Sequence, residues 1–295
     1  MTRLYEYQGK SLLKQAGILV PEGNVAKTPA EARIIAERLS KPVVVKAQIG
    51  ATGRFKAGGI KFSDDPDEAA RFAGEILNKN IKGFNVEKVL VEEKLKVAKE
   101  FYVGIIVDDS FKMKQPALVF STEGGVDVEK VAAEHPERIA RININILDGV
   151  TIGSVENAIG GFGVSSHLVK RLSDIACRVY EVFRRYDARS VEVNPIVSTS
   201  NGALYAADCR IVLDESSVFR HSELEIDFPR DIGRPPTRLE RAAWKIEEND
   251  FRGTSYFVQM PREIKPEGGY IGFHGIGGGG AMLGADALFR YGLKI

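Results

Sequence analysis

Apolar residues recur every three to four positions in several segments of this chain. This spacing is typical of amphipathic helices, which bury one face. Capping signals support it, because Thr28 precedes Pro29 at one predicted helix start and Gly17 follows another segment where a helix would stop. The pattern therefore predicts helices in residues 5–16, 28–39, 65–78, 168–186 and 237–249.

Other segments are runs of β-branched and aromatic residues, a composition that favours strands. Polar residues 108–110 and 198–202 separate neighbouring runs and are typical of hairpin turns. The predicted strands cover residues 43–45, 88–92, 101–107, 116–120, 191–197, 203–208 and 269–274. Because helices and strands do not alternate strictly, we expect an α+β fold.

A glycine-rich, cationic segment follows the first of these strands. Lys46 ends the strand, and residues 50–59 combine small residues with Arg54 and Lys56. Backbone N–H groups of small residues can approach an anion closely, while the three cations supply charge. The segment lacks the spacing of a Walker loop, so it predicts a polyphosphate site in another nucleotide-binding fold.

Charge and cysteine content narrow the function classes. The chain has 41 Lys plus Arg against 40 Asp plus Glu, so we do not expect it to bind nucleic acid. Cys177 and Cys209 form no CxxC pair, which favours a reducing, cytoplasmic environment without structural zinc. Because no stretch approaches the ~18 apolar residues of a membrane helix, we expect no membrane segment.

The composition changes near residue 225, where a polar stretch rich in proline begins. Residues 228–236 have the composition of an interdomain linker. We therefore divide the chain into a nucleotide-binding domain in residues 1–227, a linker with a short helix in 228–266, and the start of a second domain in 267–295.

Three oxygen-bearing side chains lie on the strand pair predicted in residues 191–208. Side chains alternate along a strand, so Glu192 and Asn194 share a face, and the following strand can bring Asp208 beside them. Mg²⁺ suits such ligands, since it takes one or two carboxylates plus waters and substrate phosphates. Taken alone, Asn194 is equally typical of a turn and Asp208 of a surface acid. Their pairing in a chain with a phosphate loop favours the metal site.

Several motifs follow one another along the chain: Glu6-Tyr7-Gln8, Val45-Lys46, Gly53-Arg54, Lys56-Ala57-Gly58-Gly59, residues 121–126 with 129–131, Glu192-Val193-Asn194-Pro195 and Asp208. In this order they resemble the β subunit of succinyl-CoA synthetase, from about residue 4 to the C-terminus. The resemblance implies an ATP-grasp fold of two α+β lobes that holds Mg-nucleotide. It also implies a flavodoxin-like α/β CoA-ligase domain, of which we expect only a truncated beginning here.

The resemblance assigns roles to individual residues. Nucleotide would bind at Lys46, Gly53, Arg54, Phe55, Glu92, Leu95 and Glu100. Mg²⁺ would be held by Asn194 and Asp208, with Glu192 supporting that site. The organic acid would contact His274, Gly275, Ile276 and Gly277.

The implied enzyme is a ligase of tricarboxylic acid metabolism that forms a carbon–sulfur bond. An organic acid, CoA and either ATP or GTP would give acyl-CoA, nucleoside diphosphate and phosphate, through an acyl phosphate and a phosphohistidine. The phosphohistidine would belong to a CoA-binding α-type partner subunit, so no catalytic residue is expected on this chain. His135, His167 and His221 are accordingly interpreted as ordinary surface or core histidines.

Two departures from the family pattern keep other functions open. Phe55 stands where the family has glycine, and His274 stands where it has the asparagine that contacts the acid. A non-catalytic assembly or regulatory subunit that binds nucleotide, or a ligase for citrate or another di- or tricarboxylate, therefore remains an alternative. Residues 275–280 also satisfy G-x-G-x-x-G, a dinucleotide motif that is weak by itself. An unrelated ATP-grasp ligase that joins an acid to an amine would need a different C-terminal unit.

Overall fold

The computed structural model describes residues 2–108, 115–224, 226, 234–247, 249–250, 255–260, 264 and 266–295. The chain divides into two compact units, Met1–Arg234 and Pro235–Ile295. Within the described part of the first unit, a seven-stranded and a four-stranded sheet each have their own hydrophobic core. We call these parts the large lobe and the small lobe.

The helices and strands of the described residues have the following bounds. The helices are α1 (Glu6–Gln15), α2 (Pro29–Leu39), α3 (Pro66–Leu77), α4 (Val128–Glu134), α5 (Ile152–Ile159), α6 (Ser166–Arg185), α7 (Arg238–Glu247) and α8 (Gly278–Arg290). The strands are β1 (Thr2–Arg3), β2 (Gly23–Ala26), β3 (Val43–Ala47), β4 (Ile60–Ser63), β5 (Asn80–Ile81), β6 (Phe84–Asn85), β7 (Val89–Glu93), β8 (Val97–Asp108), β9 (Gln115–Ser121), β10 (Ile139–Asn143), β11 (Ala188–Thr199), β12 (Leu204–Ala206) and β13 (Cys209–Leu213).

The small lobe is a sheet in the order β2-β7-β3-β4, and α2 and α3 pack on it. Both helices begin at a residue that caps them. Thr28 Oγ1 accepts from Glu31 N at 3.2 Å, and Asp65 Oδ1 accepts from Glu68 N at 2.8 Å. Each cap satisfies a backbone N–H that the first helical turn leaves unpaired, which fixes where the helix starts.

The large lobe is an antiparallel sheet in the order β1-β13-β11-β8-β9-β10, with β12 also paired to β11. The long helix α6 packs against β8 and β11, and α1 packs against β13. Phe101, Phe120 and Leu172 are fully buried in the resulting core. The central strands β8 and β11 therefore hold their polar residues in fixed positions on this sheet.

The predicted α+β class and the five predicted helices are confirmed, with helix ends shifted by one or two residues. The strand predicted in residues 203–208 is wrong in its bounds, because it ends at Ala206 and a separate strand, β13, begins at Cys209. Of the turn predicted in residues 108–110, Asp108 ends β8, and 109–110 lie outside the described residues. Most of the predicted linker in residues 228–236 also lies outside them.

The second unit contains α7 and α8 in its described part. A capping box begins α7, since Glu240 N donates to Thr237 Oγ1 and Thr237 N donates to Glu240 Oε2. The strand predicted in residues 269–274 is wrong. Tyr270 and Lys294 form an isolated parallel bridge, and a single bridge cannot build a ladder.

Candidate nucleotide site

A cavity of about 310 Å³ is lined by residues of both lobes of the first unit. The loop between β3 and β4 contributes residues 53–55 from the small lobe. From the large lobe, β11 contributes Glu192 and Asn194, and Asp208 precedes β13. The structure therefore brings together six of the residues that the sequence predicted for nucleotide and metal binding.

Lys46 is buried on β3 beside this cavity and contacts two carboxylates. Its Nζ lies 2.8 Å from Glu6 Oε1 and 2.7 Å from Glu92 Oε1. It also donates to the carbonyl oxygen of Ala207 at 2.8 Å. Glu92 belongs to the small lobe, whereas Glu6 and Ala207 belong to the large lobe. Lys46 is thus held in place from both sides.

A second buried lysine, Lys10, follows Glu6 by one helical turn on α1. Its Nζ lies 2.8 Å from Glu6 Oε1 and 2.6 Å from Glu92 Oε2, and it donates to Ala207 O at 2.8 Å. The sequence interpretation missed Lys10. Its available signal was the i,i+4 spacing from Glu6, which lets the two side chains meet on one helix face.

Arg54 connects the glycine-rich loop to the large lobe. Its Nη1 lies 2.7 Å from Glu6 Oε2, and its Nη2 donates to Asp208 Oδ2 at 2.9 Å and Oδ1 at 3.1 Å. Nη1 also donates to the carbonyl of Ala47 at 3.0 Å. Only 11% of the side chain is exposed, so its position is well defined. Phe55, the next residue, is 65% exposed at the cavity.

These contacts form a balanced network of three cations and three carboxylates: Lys10, Lys46, Arg54, Glu6, Glu92 and Asp208. Burial by itself would raise the pKa of Glu6, but the three cations hold that pKa well below its ordinary value. Burial would lower the pKa of Lys46, but Glu6 and Glu92 raise it above its ordinary value. Both groups are therefore charged at neutral pH.

Asn194 and Asp208 are adjacent, as the strand pairing predicted. Asn194 N donates to the Asp208 carbonyl at 3.1 Å, and the Asn194–Pro195 peptide bond is cis. The Asn194 side chain holds the loop after β9, because its Oδ1 accepts from Gly125 N at 2.7 Å and its Nδ2 donates to Val126 O at 3.0 Å. Burial, together with the charge of Glu6, raises the pKa of Asp208.

Glu192 lies opposite Arg210 in the register of β11 and β13. Arg210 Nη1 is 3.7 Å from Glu192 Oε1. Burial raises the pKa of Glu192, although the charge of Arg210 acts in the other direction. Arg210 was not singled out from the sequence, and its contact partner depends on strand pairing that local patterns do not show.

Leu95 and Glu100, also predicted to bind nucleotide, are not among the residues that line this cavity. Leu95 is half-buried in the connection between β7 and β8. Glu100 is on β8, where burial raises its pKa, and its carboxylate lies against Gly125. In the second unit, His274 is exposed and Gly277 caps α8 with φ +75°. The structure thus places residues 274–277 just before a helix N-terminus.

Comparison with known proteins identifies the family of the chain. The ATP-grasp domain family matches residues 3–198 of the chain. A β subunit of an ADP-forming succinate–CoA ligase from Ignicoccus hospitalis is 34% identical over 98% of this chain and 71% of that protein. The chain belongs to the family of succinate–CoA ligase β subunits. The predicted resemblance and ATP-grasp fold are confirmed.

Other members of the family are more similar over a shorter range. The β subunit of a GDP-forming succinate–CoA ligase from Thermus thermophilus is 44% identical over 75% of this chain and 58% of that protein. Its ADP-forming counterpart from Methanothermobacter thermautotrophicus is 40% identical over 75% of this chain and 60% of that protein. The chain thus spans about three-fifths of the length of these relatives.

Solved structures of related fold cover different parts of the chain. An ATP citrate lyase from Methanothrix soehngenii, solved with citrate and coenzyme A, matches 99% of this chain and 69% of its own, with a TM-score of 0.73 and 20% identity. A dinucleotide-forming acetyl-coenzyme A synthetase 1 from Ca. Korarchaeum cryptofilum matches 72% of this chain and 94% of its own, with a TM-score of 0.59 and 21% identity. These likenesses support the fold of the chain.

Gly125 is expected to be intolerant of a side chain. It has φ +71°, and a Cβ there would lie 2.5 Å from Glu100 Oε2. Gly125→Ala should therefore lower the free energy of unfolding by about 1–2 kcal/mol, the cost of a left-handed backbone, because the flexible Glu100 side chain can move aside. Gly163→Ala is the matched control, because Gly163 has φ +67° with nothing within 4 Å of its Cβ. A loss in urea denaturation much larger than that of Gly163→Ala would contradict this expectation and show that Glu100 cannot move aside.

Proposed function

We propose that this chain is the nucleotide-binding subunit of an acid:CoA ligase and binds Mg-ATP or Mg-GTP in the cavity between its lobes. One observation carries the proposal: Arg54 joins the glycine-rich loop to Asp208 at 2.9 Å, in a cavity that Asn194 also lines. A cation suited to bind phosphate and oxygen atoms suited to bind a metal, far apart in the sequence, thus lie together in one cavity. Membership in the succinate–CoA ligase β-subunit family supports the same function.

Lys46 and Arg54 are suited to bind the phosphates of the nucleotide. Both are held in fixed positions by carboxylates, and phosphate oxygens can accept the same hydrogen bonds. Phosphoryl transfer depends mainly on positioning and on neutralising charge, so fixed cations are what the reaction needs. No general base on this chain is required.

The residues at the cavity fit a Mg²⁺ ion that is shared with the nucleotide. Asp208 offers a carboxylate and Asn194 an amide oxygen, which are hard ligands. Among the described residues, no group of three or more His, Cys, Asp or Glu could hold a metal by itself. Mg²⁺ commonly takes one or two protein ligands plus substrate phosphates, so two oxygens suffice. When bound, it would neutralise phosphate charge.

The rest of the reaction is proposed to need a partner. A CoA-binding α-type subunit would carry the phosphohistidine, and the organic acid would bind near His274, Gly275, Ile276 and Gly277. Because relatives include both ADP-forming and GDP-forming ligases, both nucleotides are candidates. His274 is the reason to test citrate beside succinate, since an imidazole can donate to an additional carboxylate.

The compartment is proposed to be the cytoplasm. Cys177 and Cys209 are both free thiols, as expected in a reducing environment. In the described part of the chain, no helix has the length and apolar character needed to cross a membrane.

Calorimetric titration of Mg-ATP and Mg-GTP into the purified chain tests the proposal. Wild type should bind at least one nucleotide, and Asp208→Asn should weaken that binding about tenfold or more, because it removes the charge that faces Arg54 and the metal. The matched control is Asp214→Asn. Asp214 caps a 3₁₀ turn through Ser216 N at 2.9 Å, outside the cavity lining, and its replacement should leave affinity unchanged.

Binding of neither nucleotide by folded wild type would contradict the proposal. Equal losses in the Asp208 and Asp214 variants would show that the effect is not specific to the cavity. Addition of the α-type partner, CoA and either succinate or citrate then tests for acyl-CoA formation. Acyl-CoA formation by the isolated chain would refute the proposed division of labour.

A further inference from the structure

Arg210 lines the candidate nucleotide cavity but does not belong to its charge network. Arg54, in the same lining, is 11% exposed and contacts carboxylates at 2.7 Å and 2.9 Å. The side chain of Arg210 is 42% exposed, and its described ion pair, with Glu192, is 3.7 Å long. Arg210 is therefore a cation at the cavity that the protein itself neutralises weakly.

Arg210 also has a hydrogen-bond donor, Nε, that no described residue accepts. The 3.7 Å separation from Glu192 is longer than a hydrogen bond. Its Nε is buried and has no hydrogen-bond partner among the described residues. Buried polar atoms are nearly always paired, so an unpaired donor beside a cavity indicates a place for an acceptor from a ligand. The planar guanidinium fork matches the oxygens of a phosphate group.

The strand register places Arg210 on the same wall as the proposed metal ligands. Arg210 pairs with Glu192 across β13 and β11, and Glu192 and Asn194 are two residues apart on one strand face. Asp208 is likewise two residues before Arg210. A phosphate held near Asp208 and Asn194 is thus within the part of the cavity that Arg210 lines.

We propose that Arg210 binds the outermost phosphate group in this cavity. That group is the terminal phosphate of a nucleoside triphosphate or an inorganic phosphate bound beside the diphosphate. The inference rests on the proposed function and extends it, because it assigns a third phosphate-binding cation besides Lys46 and Arg54. Arg210 thereby distinguishes a third phosphate from the first two phosphates of the nucleotide.

The test compares three ligands in calorimetry: Mg-triphosphate of the nucleotide that wild type binds, its Mg-diphosphate, and inorganic phosphate added with saturating Mg-diphosphate. Arg210→Gln should weaken the binding of the triphosphate or of inorganic phosphate about tenfold or more. It should change the affinity for the diphosphate by less than about threefold. Arg210→Lys should recover part of the loss. Weaker binding of the triphosphate identifies its terminal phosphate as the ligand of Arg210. Weaker binding of inorganic phosphate alone identifies the free ion as that ligand.

Several outcomes would overturn the inference. Unchanged affinities in a folded Arg210→Gln variant, or equal weakening of the diphosphate and triphosphate, would show that Arg210 does not select the outermost phosphate. Recovery of wild-type affinity in the double variant Glu192→Gln/Arg210→Gln would show that Arg210 serves only to neutralise Glu192. Loss of binding in Asp208→Asn with full binding in Arg210→Gln would refute this inference alone. Absence of nucleotide binding by wild type would refute the proposed function as well.

Discussion

Replacing Lys46 with methionine is expected to lower the free energy of unfolding by about 3–5 kcal/mol, the usual cost of breaking a buried ion pair from one side. Lys46 lies 2.8 Å from Glu6 and 2.7 Å from Glu92, and both carboxylates are only 2% exposed. Methionine has a similar volume but supplies no charge or donor. The two carboxylates would then share only the remaining cations, in a largely buried setting beside the cavity.

The same replacement should also weaken Mg-nucleotide binding by about tenfold or more, because a fixed phosphate donor is lost. Urea denaturation measures the stability loss, and calorimetry measures the affinity. Lys41→Met is the matched control, since Lys41 also pairs with a glutamate, Glu93, at 2.8 Å but is 54% exposed. Exposed pairs contribute little, so the control should remain near wild type in both measurements. A Lys46→Met protein as stable as the control would contradict the buried network.

Replacing Glu6 with glutamine is expected to have an effect of similar size at pH 7. Glu6 contacts Lys10 and Lys46 through Oε1 at 2.8 Å and Arg54 through Oε2 at 2.7 Å. Glutamine keeps the shape of the side chain but removes the negative charge that faces all three cations. The expected loss is about 3–5 kcal/mol, again because buried charges are left without their partner.

This loss should depend on pH in a defined direction. The three cations hold the pKa of Glu6 in the folded chain well below its ordinary value of 4.5. The stabilisation is therefore complete above pH 4.5 and is lost as the pH falls toward the folded pKa. The difference in unfolding free energy between wild type and Glu6→Gln should shrink over this acid range, since protonated Glu6 resembles glutamine.

Unfolding free energies measured between pH 7 and the acid limit of folding test this expectation. Asp208 has a raised pKa and contributes to pH dependence with the opposite sign, but it is present in both proteins. Because the charge of Glu6 is one cause of that raised pKa, the comparison reports the charge of Glu6 together with its effect on Asp208. Glu37→Gln is the control, because Glu37 pairs with Arg33 at 3.0 Å on a helix surface and is 50% exposed. A wild-type to Glu6→Gln difference that grew on acidification would show that the pKa shift has the wrong sign.

Local patterns in the sequence were sufficient to predict five of the eight helices of the described residues, though not α4, α5 and α8, and the chemistry of the loop after β3. Helix α2, for example, is specified by Thr28, Pro29 and an apolar stripe, all within twelve residues. The spacing of Lys46 from Arg54, and of Glu192 from Asn194, is likewise local and indicated phosphate and metal chemistry. Family motifs then supplied the ATP-grasp fold, which the comparisons confirm.

Long-range contacts were beyond such patterns. Arg54 and Asp208 are 154 positions apart, and Lys10 and Glu92 are 82 positions apart. The i,i+4 rule pairs Lys10 with Glu6, but no local rule states that Lys10 also contacts Glu92, or that Arg210 faces Glu192 across two strands. The strand expected in residues 269–274 failed for a related reason: β propensity forms a strand only where another strand is available to pair with it.

The sequence by itself therefore determined five of the helices, the loop that carries phosphate-type chemistry and the family that the chain resembles. These properties depend on residues close together along the chain. Among the described residues, the tertiary structure decided which charges neutralise one another, and it pairs Arg210 more weakly than Arg54. Such choices depend on distances of about 3 Å in a buried, low-dielectric setting, and only the packing of the two lobes sets those distances.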